Sequence, residues 1–325
     1  RKIVRIITPG TTYSDQVLDN KSNRYILSVF IKNDYFGIAF CDLTTGEFKA
    51  AEIDNFENLH DEIARINPAE MLMERDSYDN PEIRTKIITI ANCSISSVHF
   101  YDEAYRFLLS SFNVKSLDGF GIASMPFAIN ASAILMKYLL DTQKENISHI
   151  DRISTYMKGD FMYLDENTIR NLELFETMRG KENEGALFKI IDHTKTSMGA
   201  RMLKKWLLAP LIKLEEIEAR QSAVEDFYKK EELRNEISNT LKELSDIERL
   251  LGRLSSMSAN ARDLYALALS LSVLPRIKEN LSIADSNLLA SLAKDLIPLE
   301  KLCEKIISGI SDSAGIKLTE GNIIK

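Results

Sequence analysis

The chain has 325 residues, 45% hydrophobic and 27% charged, an ordinary globular balance that suffices for a buried core. A formal net charge of −7 argues against the chain gripping DNA by itself, because phosphate contacts need clustered Lys and Arg. No apolar run is long enough to cross a bilayer (residues 131–140 come nearest), and the scattered Cys41, Cys93 and Cys303 form no CxxC pair and have no neighbouring His, so neither a disulfide framework nor a zinc site is expected.

The N-terminus lacks a signal-peptide layout and opens without Met, which reads as a cut made inside a larger protein. Residues 2–8 are apolar and β-branched and predict a strand, broken by Pro9-Gly10. Residues 25–31 and 35–41 predict two more strands around the hairpin loop Lys32-Asn33-Asp34, and residues 47–53 alternate as a further strand after the turn Thr44-Thr45-Gly46. Phe56, Leu59, Ile63 and Ile66 share a helical face; Pro68 closes that helix, and residues 69–73 form a short strand. Residues 82–91 look helical, 94–99 extended, 103–112 amphipathic, 117–121 a Gly-containing loop, and 126–142 a buried helix. Hairpins followed by a helix and another strand imply an α/β domain whose sheet is partly covered by helices. The polar residues 143–146 are the best candidate for an inter-domain joint.

Strand signals then give way to helices. Asp165 is placed to cap a helix start, with Leu164 and Ile169 closing as a hydrophobic staple. Gly180 and Gly185 flank a polar loop. Ser197 caps the next helix, whose Met202, Leu203, Trp206 and Leu207 form an apolar stripe that stops at Pro210. Residues 215–254 repeat Ile237, Leu241, Leu244, Ile247 and Leu251 at three or four residues, predicting one or two long helices in a bundle, and residues 259–274 and 288–310 continue the pattern.

No motif declares a chemistry. Gly180-Lys181 lacks the rest of a phosphate-binding loop, and Gly119-Phe120-Gly121 reads as a turn. Asp42 at a strand end, with Glu70 and Glu74 bordering another strand, is the one set that could hold two divalent cations for a nuclease. The turn residues after Asp42 favour the plainer reading, in which it bonds the backbone of its own turn. Arg201, Lys204 and Lys205 fall on one helix side and read as a solvated face rather than a phosphate contact. The isolated His60, His99, His149 and His193 suggest no ligand set; His193 is assigned capping or packing. The expected site assignment is therefore no catalytic, cofactor-binding or metal-binding residue.

The whole chain resembles the MutS family of DNA mismatch-repair ATPases. The resemblance is carried by Arg5-Ile6-Ile7-Thr8-Pro9-Gly10-Thr11, by Phe36-Gly37-Ile38-Ala39 with Asp42, Thr45-Gly46 and Phe48, by Asn67-Pro68-Ala69-Glu70, and by Leu117-Asp118-Gly119-Phe120-Gly121. Further on it rests on Leu164-Asp165, Thr168, Arg170-Asn171-Leu172-Glu173, Asp192, Thr194, Thr196, Met198-Gly199, Arg201, Leu203, Trp206-Leu207, Pro210-Leu211, Asp246-Ile247-Glu248-Arg249, Arg253 and Arg262-Asp263-Leu264. Ala261 stands where the family usually has Pro, which puts a local helix start in question.

The resemblance implies a ribonuclease H-like connector domain over residues 1–150 and the first part of a helical core, or lever, domain over 151–325. It implies a bacterial-type, cytoplasmic mismatch-repair protein whose connector contacts a MutL protein and whose parent binds mismatched double-stranded DNA as a homodimer, with no membrane contact. ATP and Mg²⁺ are implied for the parent and no cofactor for these residues, so the fragment itself is not expected to be an enzyme. Two other readings stay open: a two-metal nuclease of the ribonuclease H type and a stand-alone helical adaptor. If packing partners lie outside the chain, the helices of residues 259–310 should expose an apolar strip.

Overall fold

The computed structural model describes residues 6–11, 19–99, 103–144, 147–156, 161–178, 184–312, 314–315, 321 and 323–325. Part of the expected first strand, half of the proposed joint and the loop residues Gly180-Lys181-Glu182-Asn183 lie outside these residues; residues 6–8 are not in a strand. Packing divides the chain into two compact units, residues 1–159 with 163–191, and residues 160–162 with 192–325.

The first unit is built on a mixed sheet. Strands β1 (Tyr25–Lys32), β2 (Tyr35–Asp42) and β3 (Glu47–Ile53) form an antiparallel meander. The β1–β2 loop is one residue tighter than the sequence implies: Lys32 still pairs with Tyr35, and Asn33 and Asp34, both at positive φ, make a two-residue hairpin that matches strand twist. Helix α1 (Phe56–Ile66) follows, capped by the Asn55 side chain and ended by left-handed Asn67. Next come β4 (Glu70–Glu74), α2 (Arg75–Asp79), α3 (Pro81–Ile90), β5 (Ser94–Val98), α4 (Ala104–Phe112), α5 (Pro126–Gln143) and the two-residue β6 (Ser154–Thr155). The sheet order is β5-β4-β1-β2-β3-β6, with β4 parallel to β1, β5 parallel to β4 and β6 parallel to β3.

Strand alternation sends Ile26, Cys41, Phe48 and Leu72 to one face, under α4 and α5, and Leu27, Val29, Ile38, Phe40 and Met71 to the other, with Leu59 and Ile63 of α1 and Ile87 of α3. Helix α5 is buried along most of its length and lies against bare backbone: a Cβ on Gly37 would fall 1.9 Å from the Phe127 carbonyl oxygen. The unit also takes in two short helices, α6 (Glu166–Asn171), capped as expected by Asp165, and α7 (Leu187–Ile191).

The second unit is helical: α8 (Ser197–Leu208), α9 (Leu214–Lys229), α10 (Glu231–Leu241), α11 (Ile247–Ser255), α12 (Ala261–Ser272), α13 (Leu274–Ser282), α14 (Asn287–Asp295) and α15 (Glu300–Gly309). Ala223, Leu233, Ile237, Ile277, Leu281, Leu289 and Ala293 form a core where α9, α10, α13 and α14 meet. Several expectations need correction. Residues 215–254 form three helices, because Lys230 leaves the helical region and Asp246 starts a new helix as its cap. Residues 288–310 form two, interrupted before Pro298. Pro275 begins α13, where proline costs no hydrogen bond, and no helix was expected to start there. The α8 cap is Thr196, whose hydroxyl accepts from Gly199 N at 3.0 Å, and not Ser197. Of the expected α8 stripe, Met202 and Trp206 are exposed, and the Arg220 guanidinium lies 3.8 Å from the Trp206 ring centre. In the later helices Leu269, Leu292 and Leu302 are exposed. Helix α12 starts at Ala261 without the family's proline, because Asn260 and Asp263 make a reciprocal capping box.

Candidate functional site

Asp42 and Glu70 flank β1 at the same end of the sheet but point to opposite faces. Ile26 pairs with both Cys41 and Glu70, which places Glu70 on the α5 side, while Asp42 pairs with Tyr25 on the α1 side. Asp42 is fully buried and saturated: its Oδ1 accepts from Thr44 N at 2.9 Å and Thr44 Oγ1 at 2.7 Å, and its Oδ2 from Asn23 Nδ2 at 2.8 Å and Arg24 N at 3.1 Å. This is the backbone-turn role read from the sequence. Glu70 is likewise buried, and its Oε2 accepts from Thr8 Oγ1 at 2.6 Å and Gly10 N at 3.2 Å while Tyr138 donates to Oε1. Glu74 sits at the far end of β4, about 13 Å along the strand from Glu70 at the usual rise per residue. Desolvation and the neighbouring Asp76 push its carboxyl upward. Among the described residues, no three His, Cys, Asp or Glu side chains converge as a metal site. Gly119 lies in a single 3-10 turn, Asp118–Phe120, closed by left-handed Gly121.

A buried cluster of charge in the helical unit is structural, and it overturns the reading of Arg201 as part of a solvated face. Arg201 is 2% exposed, inside α8's inward side beside Ala200. Its Nη1 donates to Asp246 Oδ2 at 2.6 Å, and its Nη2 to Asp246 Oδ1 at 2.8 Å and Glu248 Oε2 at 2.5 Å. Lys204 and Lys205 are half-buried on the same helix. Asp246 also caps α11, accepting from Arg249 N at 3.3 Å. Burial alone would raise the Asp246 carboxyl, but the Arg201 bonds and charge outweigh it and hold it below the usual carboxylate range. Burial would likewise discharge Arg201, yet its two carboxylates keep it charged. At the other end of α11, Arg253 Nη2 donates to Asp263 Oδ1 at 2.8 Å, inside the α12 capping box. A second tie links α9 to α14: Asp226 Oδ2 accepts from Asp285 N at 2.6 Å and Ser286 N at 3.0 Å, while Lys230 bonds Asp226 at 3.1 Å and Asp285 at 2.8 Å. The Ser286 backbone bond leads in lowering the Asp226 carboxyl.

These groups fix helix ends and helix partners. Pairing Arg201 with Asp246 and Glu248 was missed from sequence, although an Asp-x-Glu at a helix start is a ready acceptor for a buried guanidinium. Also missed was the α1 cluster in which Glu62, 5% exposed, accepts from Arg65 Nη2 at 2.6 Å and Tyr156 Oη at 2.8 Å.

A family model described as MutS domain II matches residues 24–151, and one described as MutS domain III matches residues 167–325. The DNA mismatch repair protein MutS of Lachnoclostridium phytofermentans is 36% identical over 329 residues, covering 100% of this chain and 35% of that protein. Its counterpart from Halothermothrix orenii is 38% identical over 329 residues, covering 100% and 37%, and that of Methanosarcina barkeri 36% identical over 345 residues, covering 100% and 38%. The chain thus spans between 35% and 38% of the length of these curated relatives.

Proposed function

Because this chain belongs to the MutS family of DNA mismatch-repair proteins and carries its domains II and III, we propose that it works as the connector and the first part of the core, passing conformational change without performing chemistry of its own. The observation that carries this reading is the buried Arg201–Asp246–Glu248 junction: charge that could have met a ligand is spent on tying α8 to the start of α11. The saturated Asp42, facing away from Glu70, argues the same way in the α/β unit and speaks against a metal-holding set among the described residues. Strand order β3-β2-β1-β4-β5, with its first three strands antiparallel, supports a ribonuclease H-like connector.

On this reading the ATP- and Mg²⁺-dependent step, mismatch contact and pairing into a homodimer belong to other parts of a longer cytoplasmic protein, and the α/β unit offers a surface to a MutL protein. No described helix is long and apolar enough to cross a membrane. Packed helices suit the role because they move as bodies while short joints absorb the change, with typical coupling of about 1–3 kcal/mol. The test is direct. The purified chain is assayed for ATP hydrolysis, for binding to matched and mismatched duplexes across a salt series, and for cross-linking to MutL. Expected are no hydrolysis, weak and salt-sensitive DNA binding without mismatch preference, and cross-links from the α/β unit. ATP turnover or tight mismatch-selective binding would overturn the assignment.

A further inference from the structure

Residues 163–191 largely overlap the span matched by domain III, which begins at residue 167, yet they pack with the α/β unit. Helix α1 holds them through consecutive polar side chains. His60 Nε2 lies 3.2 Å from Glu166 Oε2 at the start of α6. The Tyr163 hydroxyl bonds Asp61, and burial, then that bond, push the phenol well up. Ahead of the segment, just after β6 joins the sheet, Tyr156 donates to Glu62 and lies under the Arg65 guanidinium, 5.1 Å from the ring centre. The segment is also bonded to itself: Leu164, Leu174, Ala186 and Phe188 are buried, the Phe175 and Phe188 rings lie 5.9 Å apart, and Leu187 N and Phe188 N donate to Glu173 O and Leu174 O at 2.9 Å each.

The stretch expected to be a joint has packed flanks. Gln143 is the last residue of α5 and donates to Ile6 O at 3.1 Å, Ile147, Ile150 and Ile153 lie in the α/β core, and His149 Nε2 meets Leu43 O at 2.7 Å. We infer that the described residues of 163–191 form one mechanical body with the α/β unit, clamped by His60 and Asp61 of α1, so that conformational change is absorbed where the chain passes into the helical unit, at Phe161-Met162 and beyond Ile191, and not at the packed flanks of the expected joint. This holds whether or not the transmission role is correct.

The test uses the full chain with Cys93→Ser and spin labels at Glu57→Cys on α1 and Lys189→Cys in the middle of α7, both exposed positions. A single narrow distance distribution is expected. In Tyr163→Phe/Glu166→Gln, which removes two ties while sparing the sheet, the distribution should broaden and the amides of α6 should exchange roughly tenfold faster, with those of β1 unchanged. The milder His60→Gln should give the same effect in smaller degree. A broad or two-peaked distribution in the otherwise unaltered chain, or unchanged exchange in both variants, overturns the inference.

Discussion

Arg201 and Asp246 meet in a two-pronged bond, Nη1 to Oδ2 at 2.6 Å and Nη2 to Oδ1 at 2.8 Å, although 45 positions separate them in the chain. The guanidinium is almost wholly enclosed, while Glu248, its other partner, is 49% exposed. The two carboxylates therefore should not count equally. Removing one partner of an enclosed pair costs about 3–5 kcal/mol, whereas an exposed pair contributes about 0–1 kcal/mol. Asp246→Ala should lower stability in urea by several kcal/mol and Glu248→Gln by less than about 1 kcal/mol. Equal losses from the two would refute that ranking.

The same pair sets an acid limit. The folded Asp246 carboxyl lies below its unfolded value of about 3.9. Its contribution is therefore complete above the unfolded value and is lost as pH falls through the folded one. Urea melts from pH 7 down to 3 should show stability falling in the acid range, with a shallower fall in Asp246→Asn. Identical slopes would show that Asp246 is not among the linked groups.

Gly37 should tolerate no side chain. A Cβ there would lie 1.9 Å from Phe127 O and 2.8 Å from Ala128 N, both main-chain atoms that cannot swing aside. Gly37→Ala should cost about 3 kcal/mol or more, the upper part of the range for overpacking. Gly119→Ala meets nothing within 4 Å and should shift the melting midpoint little.

Asp42→Ala would strand buried donors at Thr44 and Arg24, each loss costing about 1–3 kcal/mol. Millimolar Mg²⁺ or Mn²⁺ should leave the melting temperature of the unaltered chain unchanged. A metal-dependent rise that Asp42→Asn abolishes would revive the nuclease reading.

Asn260→Ala should cost about 1 kcal/mol by opening the α12 capping box, and Asn260→Asp should restore most of it. Amide exchange at Asp263 reports the loss locally.

The sheet was legible because β1 and β2 are short apolar, β-branched and aromatic runs set off by turn residues and β3 alternates; the boundaries of β1, β2, β3 and α1 fall within a residue of the sequence reading. The helical unit was less so. Lys230 interrupts a charge-rich run that contains neither Gly nor Pro, so nothing local marks the break between α9 and α10. Arg201 with Lys204 and Lys205 has the spacing of a solvent face, and only the distant Asp246 decides that the first of them goes inside. For the carboxylates the sequence favoured the turn role of Asp42, while the opposing faces of Asp42 and Glu70 depend on strand register, which no single segment encodes.

Asp246 performs two tasks with one carboxylate: it caps the start of α11 by receiving Arg249 N, and it receives Arg201 from α8. Fraying and detachment are consequently coupled here. Unwinding the opening turn of α11 would loosen its hold on α8, and removing α8 would strip that turn of its buried anchor.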